Sequence, residues 1–177
     1  MVTRYHPILV ALHWLLAAMV IGALLMGGLV MSEMPNDAPD KIGALQAHMS
    51  VGIAIGLLML IRLVVRLRSR HPAEADIGLP VLNRIAKPAH LAIYALVIAM
   101  AGSGVGLSLQ VGLPDIVFGG QGTLPADFHS FPARIVHGWI ATVLALLVAG
   151  HVAAAFYHQI ARKDGLMSRM SFGPREG

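Results

Sequence analysis

The chain has 177 residues, of which 56% are apolar and only 12% are charged, with a formal net charge of +4. Because soluble domains carry about 25% charged residues, this composition indicates a membrane protein. The sequence contains no cysteine, which excludes disulfides, iron–sulfur clusters, thiolate haem ligands and covalent haem attachment.

Four apolar stretches are each long enough to cross a bilayer, which takes about 20 residues of helix. They cover about residues 8–31, 42–65, 88–111 and 131–158, and Pro88 is expected to be the first residue of the third helix. None alternates as a barrel strand does, and the first exceeds the apolar core of about 7–15 residues in a signal peptide. The sequence therefore predicts an all-α membrane protein, a bundle of four transmembrane helices in one domain over residues 1–177.

The basic residues collect on one side of the four predicted helices. Eleven of the 13 lysines and arginines lie in the N-terminal arm, the second connection with its helix end, and the C-terminal tail: Arg4, Arg62, Arg66, Arg68, Arg70, Arg84, Lys87, Arg162, Lys163, Arg169 and Arg175. The positive-inside rule then predicts that both termini face the cytoplasm. We interpret the basic excess as a topology signal that favours contact with anionic membrane lipid, and we expect no nucleic-acid partner.

Six of the nine histidines fall within the predicted spans, where ionisable groups are costly and usually mark function. The positions of four of these, His13, His48, His137 and His151, are related. His137 and His151 are fourteen residues apart in the fourth helix. This spacing separates them by about 21 Å along the axis and leaves them within about 40° of one face. His13 is predicted at the depth of His151, and His48 at the depth of His137.

Two depth-matched histidine pairs favour axial ligation of two haem irons. Neutral imidazole is a common metal ligand, and a cofactor can be gripped between facing helices of a bundle. In this interpretation His13 and His151 ligate the cytoplasmic-side iron, while His48 and His137 ligate the outer one. For any single histidine, a proton relay or a packing role is the alternative, and a haem-free transporter would need no depth matching.

Several other residues are candidates for the surroundings of such a cofactor. Gly52 and Gly56 follow His48 at four-residue steps and would let a flat macrocycle approach the backbone, although the same spacing is a helix-packing motif. His90, His158 and Tyr94 lie near the cytoplasmic level of the bundle. They are candidates to line a quinol pocket and accept its protons, with interfacial anchoring as the equal alternative.

Basic residues at the span ends are candidate partners of haem propionates. On the inner side these are Arg62, Arg66 and Lys87, and on the outer side Lys41 and Arg134. The alternative, which we favour for each of them, is an ordinary role as a headgroup anchor.

The arrangement of these motifs resembles the bacterial cytochrome b561 family over nearly the whole chain. The matching features are Leu12-His13-Trp14, His48 with the Gly-rich helix that ends in Ile61-Arg62-Leu63-Val64-Val65-Arg66, His90-Leu91-Ala92-Ile93-Tyr94, His137, His151, and the tail from Lys163 to Met170. The resemblance implies a four-helix inner-membrane protein with two non-covalent haems b. It implies the same ligand pairs and electron exchange with ubiquinone.

Some members of that family are similar to superoxide oxidases, which would make the chain a quinone-linked oxidoreductase. A site that captures an anion should be electropositive. Here the outer side sets Lys41 and Arg134 against five carboxylates, those of Glu33, Asp37, Asp40, Asp115 and Asp127, which leaves a net charge of −3. The outer partner is therefore open between superoxide and a periplasmic redox protein.

A second interpretation keeps the haem ligands and changes the role. The chain would then be a membrane-anchor subunit that delivers electrons from a larger dehydrogenase or hydrogenase to quinone. Such a subunit would need an extended docking surface, and the predicted connections are short.

Overall fold

The computed structural model describes residues 2–73 and 80–175. The first helix, α1, covers Pro7–Leu25 and continues as a π-helix over Met26–Met31. The next two are α2 at Lys41–Arg68 and α3 at Pro80–Val111. The last, α4, covers Pro132–Phe156 and continues as a π-helix over Tyr157–Arg162. Four helices are long and apolar enough to cross a membrane, which confirms the predicted all-α transmembrane fold.

The start of α3 differs from the prediction. The helix begins at Pro80, so Pro88 lies two turns inside it rather than at its first position. A proline in a helix interior removes one backbone hydrogen bond. The apolar stretch marks only part of α3, and the helix extends before it over residues 80–87, which include the polar Asn83, Arg84 and Lys87. Part of the predicted second connection, residues 74–79, lies outside the described residues.

The main core lies between the helices in the half of the bundle that contains both chain ends. It receives side chains from all four helices: Leu12, Leu16, Val20, Ile55, Met59, Tyr94, Val97 and Leu144. The faces that point away from it are apolar as well, since Trp139 on α4 is 68% exposed and Leu146 is 70% exposed. An exposed apolar surface of this extent fits contact with lipid rather than water.

The N-terminal arm and the C-terminal tail meet at one end of the bundle. The Thr3 amide donates to the Arg175 carbonyl at 2.7 Å, and the Tyr5 amide donates to the Arg169 carbonyl at 3.0 Å. At the other end, a short π-helix at Pro114–Phe118 packs on α2 through Leu45, Leu113 and Val117. Both termini therefore lie on the same side, as an even number of spans requires.

Candidate functional site

Four histidines within the spans, His13, His48, His137 and His151, form two pairs of neighbouring rings. The ring centroids of His13 on α1 and His151 on α4 are 6.1 Å apart, with the ring planes at 80°. Those of His48 on α2 and His137 on α4 are 6.3 Å apart, at 76°. α4 thus contributes a ring at each of two depths, and a different helix supplies the second ring each time. His13 and His151, nearer the chain termini, are called the inner pair, and His48 and His137 the outer pair.

The orientation of His137 is set by a short hydrogen-bond chain. The Ser103 hydroxyl lies 2.9 Å from the Met100 carbonyl and 2.9 Å from Nδ1 of His137. Because the hydroxyl donates its only hydrogen to the carbonyl, it accepts from the imidazole, which places the proton of neutral His137 on Nδ1. Nε2 then carries the free lone pair that a metal needs.

Glycines of neighbouring helices lie against the outer pair of rings. A methyl group on Gly27 would lie 3.4 Å from Cε1 of His48, and one on Gly104 would lie 3.3 Å from Cε1 of His137. Neither glycine nor Ser103 was predicted as a site residue. The available signal was the cluster of small residues at Gly27-Gly28 and at Gly102-Ser103-Gly104 in the outer halves of their helices.

The two glycines predicted beside His48 have different surroundings. A methyl group on Gly56 would lie 3.0 Å from Cβ of Ala101, so Gly56 is a point of close approach between α2 and α3. Gly52 has no atom within 4 Å of such a methyl position, which leaves open space one turn from His48.

The inner pair has polar and aromatic neighbours. The His90 ring lies 5.2 Å from the His151 ring, and the Trp14 ring lies 5.2 Å from the His13 ring. Arg62 is buried, with Nη2 at 3.5 Å from Nδ1 of His13. His90 is exposed and its Nδ1 bonds the Ala86 carbonyl at 2.6 Å.

The residues predicted for a quinol pocket have different neighbours. Tyr94 is buried in the main core, with its ring centroid 5.7 Å from the Arg62 guanidinium carbon. His158 is buried near the C-terminal tail, where its Nδ1 bonds Oδ2 of Asp164 at 2.6 Å. Between His158 and Asp164, Lys163 adopts a left-handed conformation with φ 52°, and its amide donates to the His158 carbonyl. This reversal of the chain direction at Lys163 brings the Asp164 carboxylate within hydrogen-bond distance of His158.

The two outer basic residues also differ in their surroundings. Lys41 is only 3% exposed, and its Nζ donates to the carbonyls of Met31 and Met34 at 2.9 and 2.6 Å. The Arg134 side chain lies along α4 toward Gly138, since a methyl group on Gly138 would lie 2.9 Å from its Nη1. Lys41 is therefore a buried cap of the first π-helix, whereas Arg134 covers the helix one turn from His137.

Comparison with known proteins identifies the family of this chain. The family model for prokaryotic cytochrome b561 matches residues 4–173. The chain belongs to the prokaryotic cytochrome b561 family. It is 30% identical over 175 residues to cytochrome b561 homolog 2 of Escherichia coli K12, covering 94% of this chain and 90% of the relative. It is 28% identical over 172 residues to the probable superoxide oxidase CybB of Yersinia pestis, covering 94% and 95%.

Membership in the cytochrome b561 family makes the chain a multi-pass protein of the bacterial inner membrane that transfers electrons through haem b. The histidine pairs fit this group. A metal held between two imidazole nitrogens, with bonds of about 2.0–2.1 Å and roughly 1.1 Å from each nitrogen to its ring centroid, would separate the centroids by about 6.3 Å. Each pair offers two imidazole nitrogens, a donor set that would suit a haem iron, whose remaining ligands a porphyrin supplies.

The His158–Asp164 contact predicts a pH-dependent C-terminal turn. The hydrogen bond from His158 lowers the pKa of Asp164 below its ordinary value of 3.8. A depressed pKa stabilises the folded turn above the ordinary value, and this stabilisation is lost as pH falls through the lowered one. Hydrogen exchange at the Leu166 and Ser168 amides should therefore be slow at neutral pH and accelerate, beyond the intrinsic effect, below about pH 4.

In Asp164→Asn the same amides should exchange faster already at neutral pH and show no acid transition. Asp127→Asn is the matched control, because the Asp127 carboxylate also accepts from an amide two residues ahead, that of His129 at 2.6 Å, but lies in the outer connection. An acid transition that survives in Asp164→Asn would contradict the prediction.

Proposed function

We propose that the chain carries electrons across the inner membrane through two haems b, between ubiquinone at the cytoplasmic face and a partner at the periplasmic face. His13 and His151 hold the inner haem, and His48 and His137 hold the outer one. The observation that carries this proposal is the pair of ring separations, 6.1 and 6.3 Å, at two depths of one bundle. A core that draws on all four helices supports a single functional domain.

Bound haem iron supplies one-electron chemistry, and the chain supplies its ligands and its surroundings. Ser103 keeps Nε2 of His137 free for the iron, and Gly27 and Gly104 allow the outer rings to lie close to the neighbouring helices. Apolar residues such as Leu12, Leu16 and Leu144 exclude water between the two levels. A haem bound between these residues would therefore lie in a site that excludes water and has fixed ligands.

The positive-inside rule supports the orientation. The end of the bundle where the termini meet contains Arg4, Arg66, Arg169 and Arg175, among the other basic residues of that side. We assign this end to the cytoplasm, which places His13 and His151 in the inner leaflet.

The quinone ring binds in a groove between α1, the end of α4 and the C-terminal tail. The groove has a volume of about 510 Å³ and is lined by Trp14, Gln159, Met167, Ser168, Met170, Ser171 and Phe172. The groove is open along one side, and its apolar walls with a few polar groups suit a quinone. Trp14 contacts the His13 ring on one side and the groove on the other, so the groove lies beside the inner haem ligand.

Quinone reduction also takes up protons, and the chain has a proton-handling pair next to the groove. Gln159 lines the groove, and its neighbour in sequence, His158, is bonded to Asp164. His158 is buried and Asp164 is exposed, so the pair connects the protein interior with the cytoplasmic water. A π-helical segment such as Tyr157–Arg162 is frequent at functional sites.

The ligand assignment predicts the effect of single substitutions on the visible spectrum. The purified protein should contain two haems per chain and give the sharp α-band of a reduced b-type cytochrome. His48→Ala should remove one haem and leave the other, since it takes one axial ligand from one pair only. His90→Ala, the control, should keep both, although its ring lies closest to His151.

Haem content by the pyridine haemochrome assay, with the reduced spectrum, measures this outcome. Retention of both haems in His48→Ala, or loss of a haem in His90→Ala, would require a different ligand set.

The groove predicts a defect specific to quinol. Met167→Trp fills it with a larger side chain and should slow reduction of the haems by ubiquinol by at least about tenfold, equivalent to 1.4 kcal/mol. Reduction by dithionite and the haem spectrum should stay unchanged. Stopped-flow absorbance measures both rates. His90→Ala tests the other face of the bundle, and a defect there without one in Met167→Trp would place the quinone at α3.

The outer partner is superoxide, supported by the similarity to the relative named probable superoxide oxidase. The outer connections are acidic overall, so the basic Arg134 beside the outer histidine pair is the group able to attract an anion locally. Lys41 is buried against two carbonyls and contributes less to attraction at the surface.

The salt dependence of the reaction with superoxide distinguishes attraction by Arg134 from repulsion by the acidic outer connections. If Arg134 dominates, the rate constant for haem reduction by superoxide should fall as ionic strength rises, and Arg134→Gln should lower it and remove most of that dependence. Stopped-flow mixing with superoxide measures both effects, with Arg4→Gln at the opposite face as the control. A rate that rises with salt, or no haem reduction, would argue for a different outer partner.

A further inference from the structure

Arg62 occupies an unusual position for an arginine near the end of a transmembrane helix. Long basic side chains at such places normally extend to the headgroups. Arg62 instead turns inward and is only 6% exposed. Its Nη1 donates to the Leu9 carbonyl at 2.6 Å, and its Nη2 lies 3.5 Å from Nδ1 of His13.

Within the described residues, no carboxylate forms an ion pair with Arg62. In the part of the chain that the structure describes, the carboxylate ion pairs are those of Asp164, with His158 and Arg162. The partners of Arg62 are a backbone carbonyl, an imidazole and the Tyr94 ring, whose centroid lies 5.7 Å from the guanidinium carbon. A full positive charge therefore lies beside one histidine pair in an apolar interior.

We propose that Arg62 is a positioning residue that raises the reduction potential of the haem held by His13. The inference rests on the proposed role of His13 as a haem ligand. Reduction converts ferric to ferrous iron by adding one electron, so a fixed positive charge nearby favours the reduced state. Charges interact strongly where water is excluded. The bond to the Leu9 carbonyl holds the guanidinium beside the His13 ring, close to any metal that the histidine binds.

Arg66 provides an internal comparison. It lies one turn farther along α2, and its guanidinium carbon is 5.9 Å from the centroid of the same Tyr94 ring. It is only partly buried, closer to the aqueous end of the helix, where water and salt screen its charge. The two arginines thus share a helix and an aromatic neighbour, and Arg62 has the contact with the histidine.

The test is a redox titration of the haem absorbance in Arg62→Gln, Arg62→Met and Arg62→Lys, with Arg66→Gln as the matched control. Each variant is titrated in the His48→Ala background, which leaves the haem of His13, and in the otherwise native chain. The two neutral variants should shift the reduction equilibrium toward ferric iron by about tenfold or more, which is 59 mV for a one-electron couple. Arg62→Lys keeps the charge and should shift it by less, and Arg66→Gln should shift it by less than Arg62→Gln.

Arg62→Met guards against a folding defect, because an apolar stem fills the site without an unpaired polar end. An unchanged potential in the neutral variants at full haem content would overturn the inference, and so would an equal shift in Arg66→Gln. Loss of the haem in both neutral variants but not in Arg62→Lys would also overturn it, since Arg62 would then hold the cofactor. A native chain with no second haem would contradict the two-haem proposal and leave the Arg62 titration readable.

Discussion

Imidazole rings that face one another inside an apolar bundle are the constraint on which the rest of this structure depends. Polar side chains in such an interior are costly unless they are bonded or ligate a metal. Meeting that condition at two depths requires one helix, α4, to present His137 and His151 on the same side. It also requires α2 and α1 to approach it at the matching levels. The close contacts of Gly27 and Gly104 with the outer rings follow from this approach.

The two levels have similar ring geometry and different surroundings. At the outer level, His137 donates to Ser103, while Nδ1 of His48 is buried without a hydrogen-bond partner in the described structure. At the inner level, His13 faces the Arg62 guanidinium and the Trp14 ring. Since groups bonded to or charged near a metal-binding histidine tune the metal, the two histidine pairs would give the haems proposed for them different properties without a change of ligand.

Much of this architecture was predictable from the sequence, because the membrane imposes simple rules on length and polarity. The extents of α1, α2 and α4 followed from apolar runs, and the meeting of the histidine rings followed from helical spacing. The predicted start of α3 at Pro88 was wrong, because the first turns of the helix lie outside the apolar run and Pro88 is tolerated within it. Ser103 escaped prediction because its role depends on how α3 packs on α4, and serine is common at such contacts.

The surroundings of His158, compared with those of Tyr94, show which local structure helical periodicity does not predict. Both residues lie near one end of the bundle, but α4 becomes a π-helix after Phe156 and then reverses at Lys163, a turn that apolar spacing does not encode. The reversal brings Asp164 to His158 and lays the tail over Trp14, whose Nε1 donates to the Met170 carbonyl at 2.9 Å. The same backbone feature therefore forms one wall of the groove and builds the His–Asp pair beside it. If a quinone binds in this groove, as we propose, one reversal of the backbone supplies both a wall for the ring and the His–Asp pair that handles its protons.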